Sequence, residues 1–170
     1  MKQLVEPGRF RIKQAAPEQL LAAAQMMARA WRESFPFDDV VFTERESGAA
    51  DLARTWVLQG RQGAYHWVVV DTVHDSEVVG VAQARVSDDA SAPTPLELHL
   101  LYLLDVAKGS GIADRLLEIT IGDAPAHLWV LEGNDRAVAF YQRHGFVLDG
   151  ARQRLEGALD GHHNVRMVRH

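Results

Sequence analysis

The sharpest chemical signal in the chain is Lys108-Gly109-Ser110-Gly111-Ile112-Ala113, which lies between an apolar segment and an amphipathic one. A helix that begins after such a loop leaves several backbone N–H groups unpaired at its positive end. Small residues there let a phosphate approach those groups, and a lysine alongside adds charge. A plain strand-to-helix turn that needs glycine for its backbone angles explains the same residues equally well. Two familiar phosphate loops do not fit. A dinucleotide fingerprint needs a small residue where Asp114 stands, and a P-loop needs its lysine after the glycines rather than before them. Upstream, Glu97 and His99 are two positions apart on one segment, so a regular strand puts both on one face, where either can accept a proton.

These residues need elements to hold them. Phe10–Gln14 reads as a first strand and Glu18–Ser34 as a helix, begun near Pro17 and stopped before Pro36. Leu20, Ala24, Met27 and Trp31 form its apolar stripe. A second helix is expected from Ala49 to Leu58, with Leu52, Ala53 and Trp56 inward. Trp67–Val70 and Val78–Val86 are β-branched runs that suggest an antiparallel pair. After a loop over Ser87–Pro95 come a strand at Leu96–Leu104, a helix at Gly111–Ile121 and a strand at Leu128–Leu131. A helix from Asp135 to His144 follows, with Gly145 suited to a left-handed cap. Two last strands, Gly150–Glu156 and Val165–Arg169, are expected to meet through a turn at Asp160-Gly161. The order β-α-α-β-β-β-α-β-α-β-β predicts an α/β (α+β) class with a mixed sheet, in a single domain over residues 1–170.

Composition narrows the functions. The chain has 170 residues, 47% hydrophobic and 24% charged, as an ordinary globular domain has. With no cysteine it has no disulfide framework and no thiol nucleophile. Net charge is −5 and the basic residues are scattered, which argues against nucleic acid as a partner. The polar stretch Met1 to Phe10 lacks the apolar core of a signal peptide, and no apolar run is long enough to span a membrane. Cytoplasmic location, no membrane partner and no metal are therefore the expectations. His162-His163 stands in a predicted hairpin without carboxylate or thiol companions, so no metal is expected there either.

The glycine loop resembles the pyrophosphate loop of the GNAT acetyltransferases, a Q/R-x-x-G-x-G/A pattern. The likeness extends downstream through Leu128-Trp129-Val130-Leu131-Glu132-Gly133-Asn134, Arg136-Ala137-Val138-Ala139-Phe140-Tyr141 and His144-Gly145-Phe146. Glu97-Leu98 and Leu101-Tyr102-Leu103 are similar to a strand of one bacterial branch. Lys108 departs from the usual arginine or glutamine, and Asp105 from a frequent proline.

The resemblance implies a mostly antiparallel central sheet with a splayed parallel pair, flanked by helices. It implies acetyl-CoA as co-substrate and an amine-bearing acceptor, small molecule or protein. The diphosphate would rest on Lys108, Gly109, Ser110, Gly111, Ile112 and Ala113, and the pantetheine arm along Leu101, Leu103, Asn134, Ala137 and Tyr141. Tyr141 is implied as general acid, since a tyrosine of pKa about 10 can protonate a departing thiolate. Asn134 and Tyr141 are seven residues apart, which places them along one helix face about 10 Å apart. Asn134 also suits a helix N-cap. The break in alternation at Leu100-Leu101 is what a β-bulge would cause, freeing an N–H near Leu103 for the oxyanion. Glu97 stands where the family often carries a base, and His99 suits substrate orientation. Trp31, Glu33, Phe35 and Phe37 fall where the family shapes its acceptor pocket. A longer acyl donor, or a CoA-binding regulatory protein without catalysis, would use the same motifs. Exposed last strands would allow a homodimer.

Overall fold

The computed structural model describes residues 8–170; the expectation for the amino terminus rests in part on residues 1–7, outside the described ones. The elements run β1 (Phe10–Gln14), α1 (Leu20–Ser34), α2 (Asp39–Arg61), β2 (Trp67–Asp71), β3 (Glu77–Val86), β4 (Leu96–Leu103), α3 (Ile112–Ile121), β5 (Ala126–Leu131), α4 (Asp135–Arg143), β6 (Val147–Arg154) and β7 (His163–Arg169). Their order along the chain is the expected one. The seven strands form a mixed sheet in the order β1-β2-β3-β4-β5-β7-β6, with β4 and β5 parallel. The chain packs as two compact units: the described residues through Gln83 with Leu100–Thr120, and Ala84–His99 with Ile121–His170.

In the first unit, α1 follows a 3₁₀ turn that opens on Pro17, and the Gln19 side chain accepts from the Ala16 N–H at 3.1 Å. Proline at the head of a helix costs nothing, because its missing N–H would be an orphan there. The helix stops at Ser34 because Pro36 drives Phe35 into the extended region, at φ −130° and ψ 140°. Leu20, Ala23, Ala24 and Trp31 are buried in α1. The second helix begins ten residues earlier than Ala49, at Asp39. Thr43, Ser47 and Gly48 are weak helix formers, but α1 packs along α2, and Val41, Phe42, Ala49, Ala53 and Trp56 are buried there. β1 pairs antiparallel with β2, and β2 with β3, the latter pair shifting register between Val69 and Val70. Gly80 on β3 admits a close approach: a Cβ there would lie 2.4 Å from Leu103 Cδ2 and 2.9 Å from Val69 Cγ2. Only glycine lets Leu103 sit on the strand in this way.

In the second unit, β5 pairs antiparallel with β7 along its whole length, and β7 with β6. Strand β6 starts at Val147 rather than Gly150, and its register breaks between Leu148 and Arg152. The connection to β7 holds a 3₁₀ turn, Gly157–Leu159, before the expected Asp160-Gly161 pair. Arg169 closes this unit: its guanidinium donates to the carbonyls of Gly122 (2.6 Å), Ala124 (2.8 Å) and His144 (3.3 Å), and lies over the Phe146 ring. Among the described residues no helix is long and apolar enough to cross a membrane.

Candidate active site

The glycine loop belongs to the first unit. A 3₁₀ turn over Asp105–Ala107 leads into it. The Lys108 N–H donates to the Asp105 carbonyl at 3.1 Å, the Ser110 hydroxyl to the Ala107 carbonyl at 2.6 Å, and the Ile112 N–H to Ser110 Oγ at 3.3 Å. Gly109 and Gly111 take φ of +79° and +83°, a region that charges any other residue for its Cβ. A Cβ at either position would meet nothing within 4 Å, so the space before these glycines is open. The backbone N–H groups of Gly109 and Gly111 make no backbone hydrogen bond among the described residues, and that of Ala113 lies in the first turn of α3. Alternating hand at successive residues turns such amides towards one concavity, a form that binds oxyanions.

Lys108 does not point its charge into open space. Its ammonium donates to Asp105 Oδ1 at 2.6 Å and Ser34 Oγ at 3.0 Å, and the Asp105 N–H donates to Glu33 Oε2 at 2.8 Å. Lys108, Ser34 and Glu33 therefore fasten the loop to the end of α1.

The same unit collects the aromatic residues noted in the sequence. The Trp31 ring lies 4.7 Å from Phe35, 5.8 Å from Phe37 and 6.5 Å from Tyr102, centroid to centroid. Arg45 of α2 stacks on Trp31, its guanidinium carbon 3.4 Å from the ring centroid. Leu103 is buried in the core and Leu101 is packed against it. Along β4 burial alternates through Leu98, His99 and Leu100, then loses its period before Leu103, as a bulge would make it.

In the second unit β4 brings Glu97 and His99 together. Glu97 is buried; its Oε1 lies 3.4 Å from His99 Nδ1, and its Oε2 accepts from Arg85 Nε at 2.9 Å. The His99 hydrogen bond and then the Arg85 guanidinium hold the carboxyl down at about 2, against the burial that would raise it. Such a group is ionised throughout the neutral range and is a weak proton acceptor on its own. Arg85 escaped the sequence reading; an arginine near the end of the preceding strand, opposite in charge to Glu97, was the available signal. Beside this group β4 and β5 run parallel at Glu97–His127 and Leu98–Leu128. The buried His127 ring nitrogen Nδ1 is 2.9 Å from Thr94 Oγ1.

Helix α4 carries the remaining candidates. Asn134 is its N-cap, with Oδ1 accepting from the Ala137 N–H at 3.2 Å, which leaves the carboxamide NH₂ for other use. Tyr141 is the buried residue of the helix, edge-on to Phe140 at 5.1 Å and Phe146 at 5.8 Å. Gly145 takes φ +84° as expected of its capping position. His163 opens β7, 3.9 Å from Glu132, whose carboxylate is engaged by Arg152. Among the described residues no cluster of histidines and carboxylates that could hold a metal ion occurs.

The model of the Acetyltransferase (GNAT) family matches residues 24–146. A protein described as a probable N-acetyltransferase of Mycobacterium tuberculosis is 23% identical over 152 residues, covering 86% of this chain and 84% of that protein. Among solved structures, the ribosomal-protein-S5-alanine acetyltransferase of Vibrio fischeri superposes with a TM-score of 0.65 at 18% identity, over 97% of this chain and 94% of its own. A chain of the NatC complex bound to Gag peptide and CoA gives 0.65 at 17% identity, over 95% and 98%. The ribosomal-protein-S18-alanine N-acetyltransferase of Escherichia coli gives 0.61 at 16% identity, over 94% and 92%.

Proposed function

Because the chain belongs to the GNAT acetyltransferase family, we propose that it moves the acetyl group of acetyl-CoA onto a primary amine of a small molecule or protein, by direct attack in a ternary complex. The observation that carries this reading is the open loop at Gly109 and Gly111, whose left-handed backbones leave their two amides without a backbone acceptor among the described residues, beside the first turn of α3. Those amides, at the head of a ten-residue helix, suit the diphosphate of CoA. A solved complex with a chain of this fold is bound to a peptide and CoA, and two other structures of this fold are ribosomal-protein-alanine acetyltransferases, which supports a thioester donor and an amine acceptor.

The residues then divide the work. An alkylamine of pKa about 10.4 must lose a proton before it attacks. Glu97, held at about 2, is too weak to take that proton alone. We assign acceptance to His99, with Glu97 fixing the ring through Nδ1 and stabilising the charge it acquires. Arg85 in turn keeps Glu97 ionised. As the amine nitrogen bonds to the carbonyl carbon, the carbon–sulfur bond breaks. The backbone N–H near Leu103 steadies the carbonyl oxygen and the Tyr141 hydroxyl gives its proton to the departing sulfur. Asn134, its Oδ1 spent on the cap, offers its NH₂ to the pantetheine arm.

The test is release of free CoA thiol from acetyl-CoA against a panel of amines. Amine-dependent release, with N-acetylated product seen by mass spectrometry, is the expected result. Binding of acetyl-CoA with no amine accelerating release would remove the catalytic reading.

A further inference from the structure

Several arginines of the first unit are matched to acids, while Arg45 of α2 is set against an aromatic ring instead. Arg9 pairs with Asp71, Arg29 with Glu33 and Glu77, Arg32 with Asp39 and Glu46, and Arg54 with Asp51. Arg45 is partly buried and makes no ion pair and no hydrogen bond among the described residues; it rests on the face of Trp31. Its neighbour Glu46 is already held by Arg32 at 3.0 Å, and Glu44 points to solvent. Burial pulls the Arg45 guanidinium below its ordinary value, with Tyr102 and Glu44 opposing that at a distance.

A second donor sits on the same ring. Trp31 is 6% exposed, and its Nε1–H is buried without a hydrogen-bond partner among the described residues. A buried unpaired N–H is costly, and a desolvated guanidinium without an acid is costlier still. Chains retain such groups where something else completes them. The surroundings are aromatic: Phe35 and Phe37, both partly exposed, lie 4.7 and 5.8 Å from the Trp31 ring, and Tyr102 lies at 6.5 Å. A guanidinium held flat on an indole keeps its N–H edge in a fixed plane, the geometry that receives a carboxylate through two parallel hydrogen bonds.

We propose that Arg45, stacked on Trp31 within this aromatic cluster, is the receptor for a carboxylate on the acceptor, so that the favoured acceptors are amines that also carry a carboxylate and an apolar or aromatic side chain. Trp31 Nε1–H, on the same ring, supplies a further donor to the same molecule. The inference rests on the acetyl-transfer reading for the word acceptor, but the anion site can be tested without transfer.

The probes are matched pairs that differ by the carboxylate alone: L-phenylalanine against 2-phenylethylamine, and L-leucine against 3-methylbutylamine. Binding to the full chain is read by tryptophan fluorescence and thermal shift, and acetyl transfer by thiol release. The wild-type chain should prefer the carboxylate-bearing member of each pair. Arg45→Gln should lower that preference roughly 10- to 100-fold, the size expected of a charge-assisted bidentate contact. Arg45→Lys, which keeps the charge without the fork, should recover only part of it. A preference that Arg45→Gln leaves intact, equal binding within each pair, or a loss that falls on acetyl-CoA instead would overturn the proposal. Transfer to amines with no carboxylate preference would leave the transferase standing and remove this site. Carboxylate-dependent binding without any acetyl transfer would keep the site and sink the transferase.

Discussion

Replacing Glu97 with glutamine should weaken the fold at neutral pH and do much less at low pH. In the folded chain the carboxyl is held at about 2, against an ordinary value of 4.5, first by His99 and then by Arg85. That difference corresponds to about 3 kcal/mol of stability from the ionised form. Arg85 is 40% exposed and recovers hydration when its partner is lost, so about 2 kcal/mol is the expected cost at pH 7. The sign follows from the direction. A carboxyl depressed in the folded state contributes fully above 4.5, and the contribution falls away as pH drops from there through about 2. Urea unfolding of wild type and Glu97→Gln, followed by tryptophan fluorescence at pH 7, 5, 4 and 3, measures it. Other acids titrate equally in both chains and cancel in the difference. A stability gap that stays constant from pH 7 to pH 3 would refute the reasoning, since a neutral packing role for Glu97 would behave that way.

Three further outcomes are expected. Tyr141→Phe should lower kcat roughly 10- to 100-fold with the KM for acetyl-CoA nearly unchanged, as removal of a proton donor used only in the transition state does; a raised KM with full kcat would contradict that role. Gly111→Ala places a Cβ where nothing obstructs it but at φ +83°, so it should cost about 1–2 kcal/mol of stability. It should also weaken CoA binding roughly tenfold by calorimetry, and unchanged affinity would count against the amide cradle. Asn134→Ala removes the bond to the Ala137 N–H and should destabilise the chain by about 1 kcal/mol in thermal unfolding; no change would mean the cap contributes nothing.

Where the sequence was informative, a strong local signal agreed with tertiary packing. Pro36 and Gly145 punctuate helices by steric rules that need no partner. Glu97 and His99 share a face because strand period is two, and the structure brings them together. The misses have one cause in common. Helix α2 starts at Asp39 because burial of Val41 and Phe42 outweighs the weak propensities of Thr43, Ser47 and Gly48. With that turn unread, Arg45 had no element to stand on and went unnoticed. Strand β6 begins early because its irregularity lies inside it, between Leu148 and Arg152, and no periodic pattern marks such a break. For Lys108, which the sequence offers as charge for a phosphate, the hydrogen bond to Ser34 of α1 was not legible because that residue is distant in sequence. Arg85 had a weaker signal, its place near the end of the strand before Glu97, and only the pairing of its guanidinium with that carboxylate gives it weight.

The most direct test of the central claim is an NMR titration of the ¹⁵N-labelled chain with coenzyme A. The amide signals of Gly109, Gly111 and Ala113 are predicted to move furthest and saturate together, as donors to a newly bound diphosphate. Saturable binding that leaves those three signals unmoved, or no binding to the folded chain, would contradict the account.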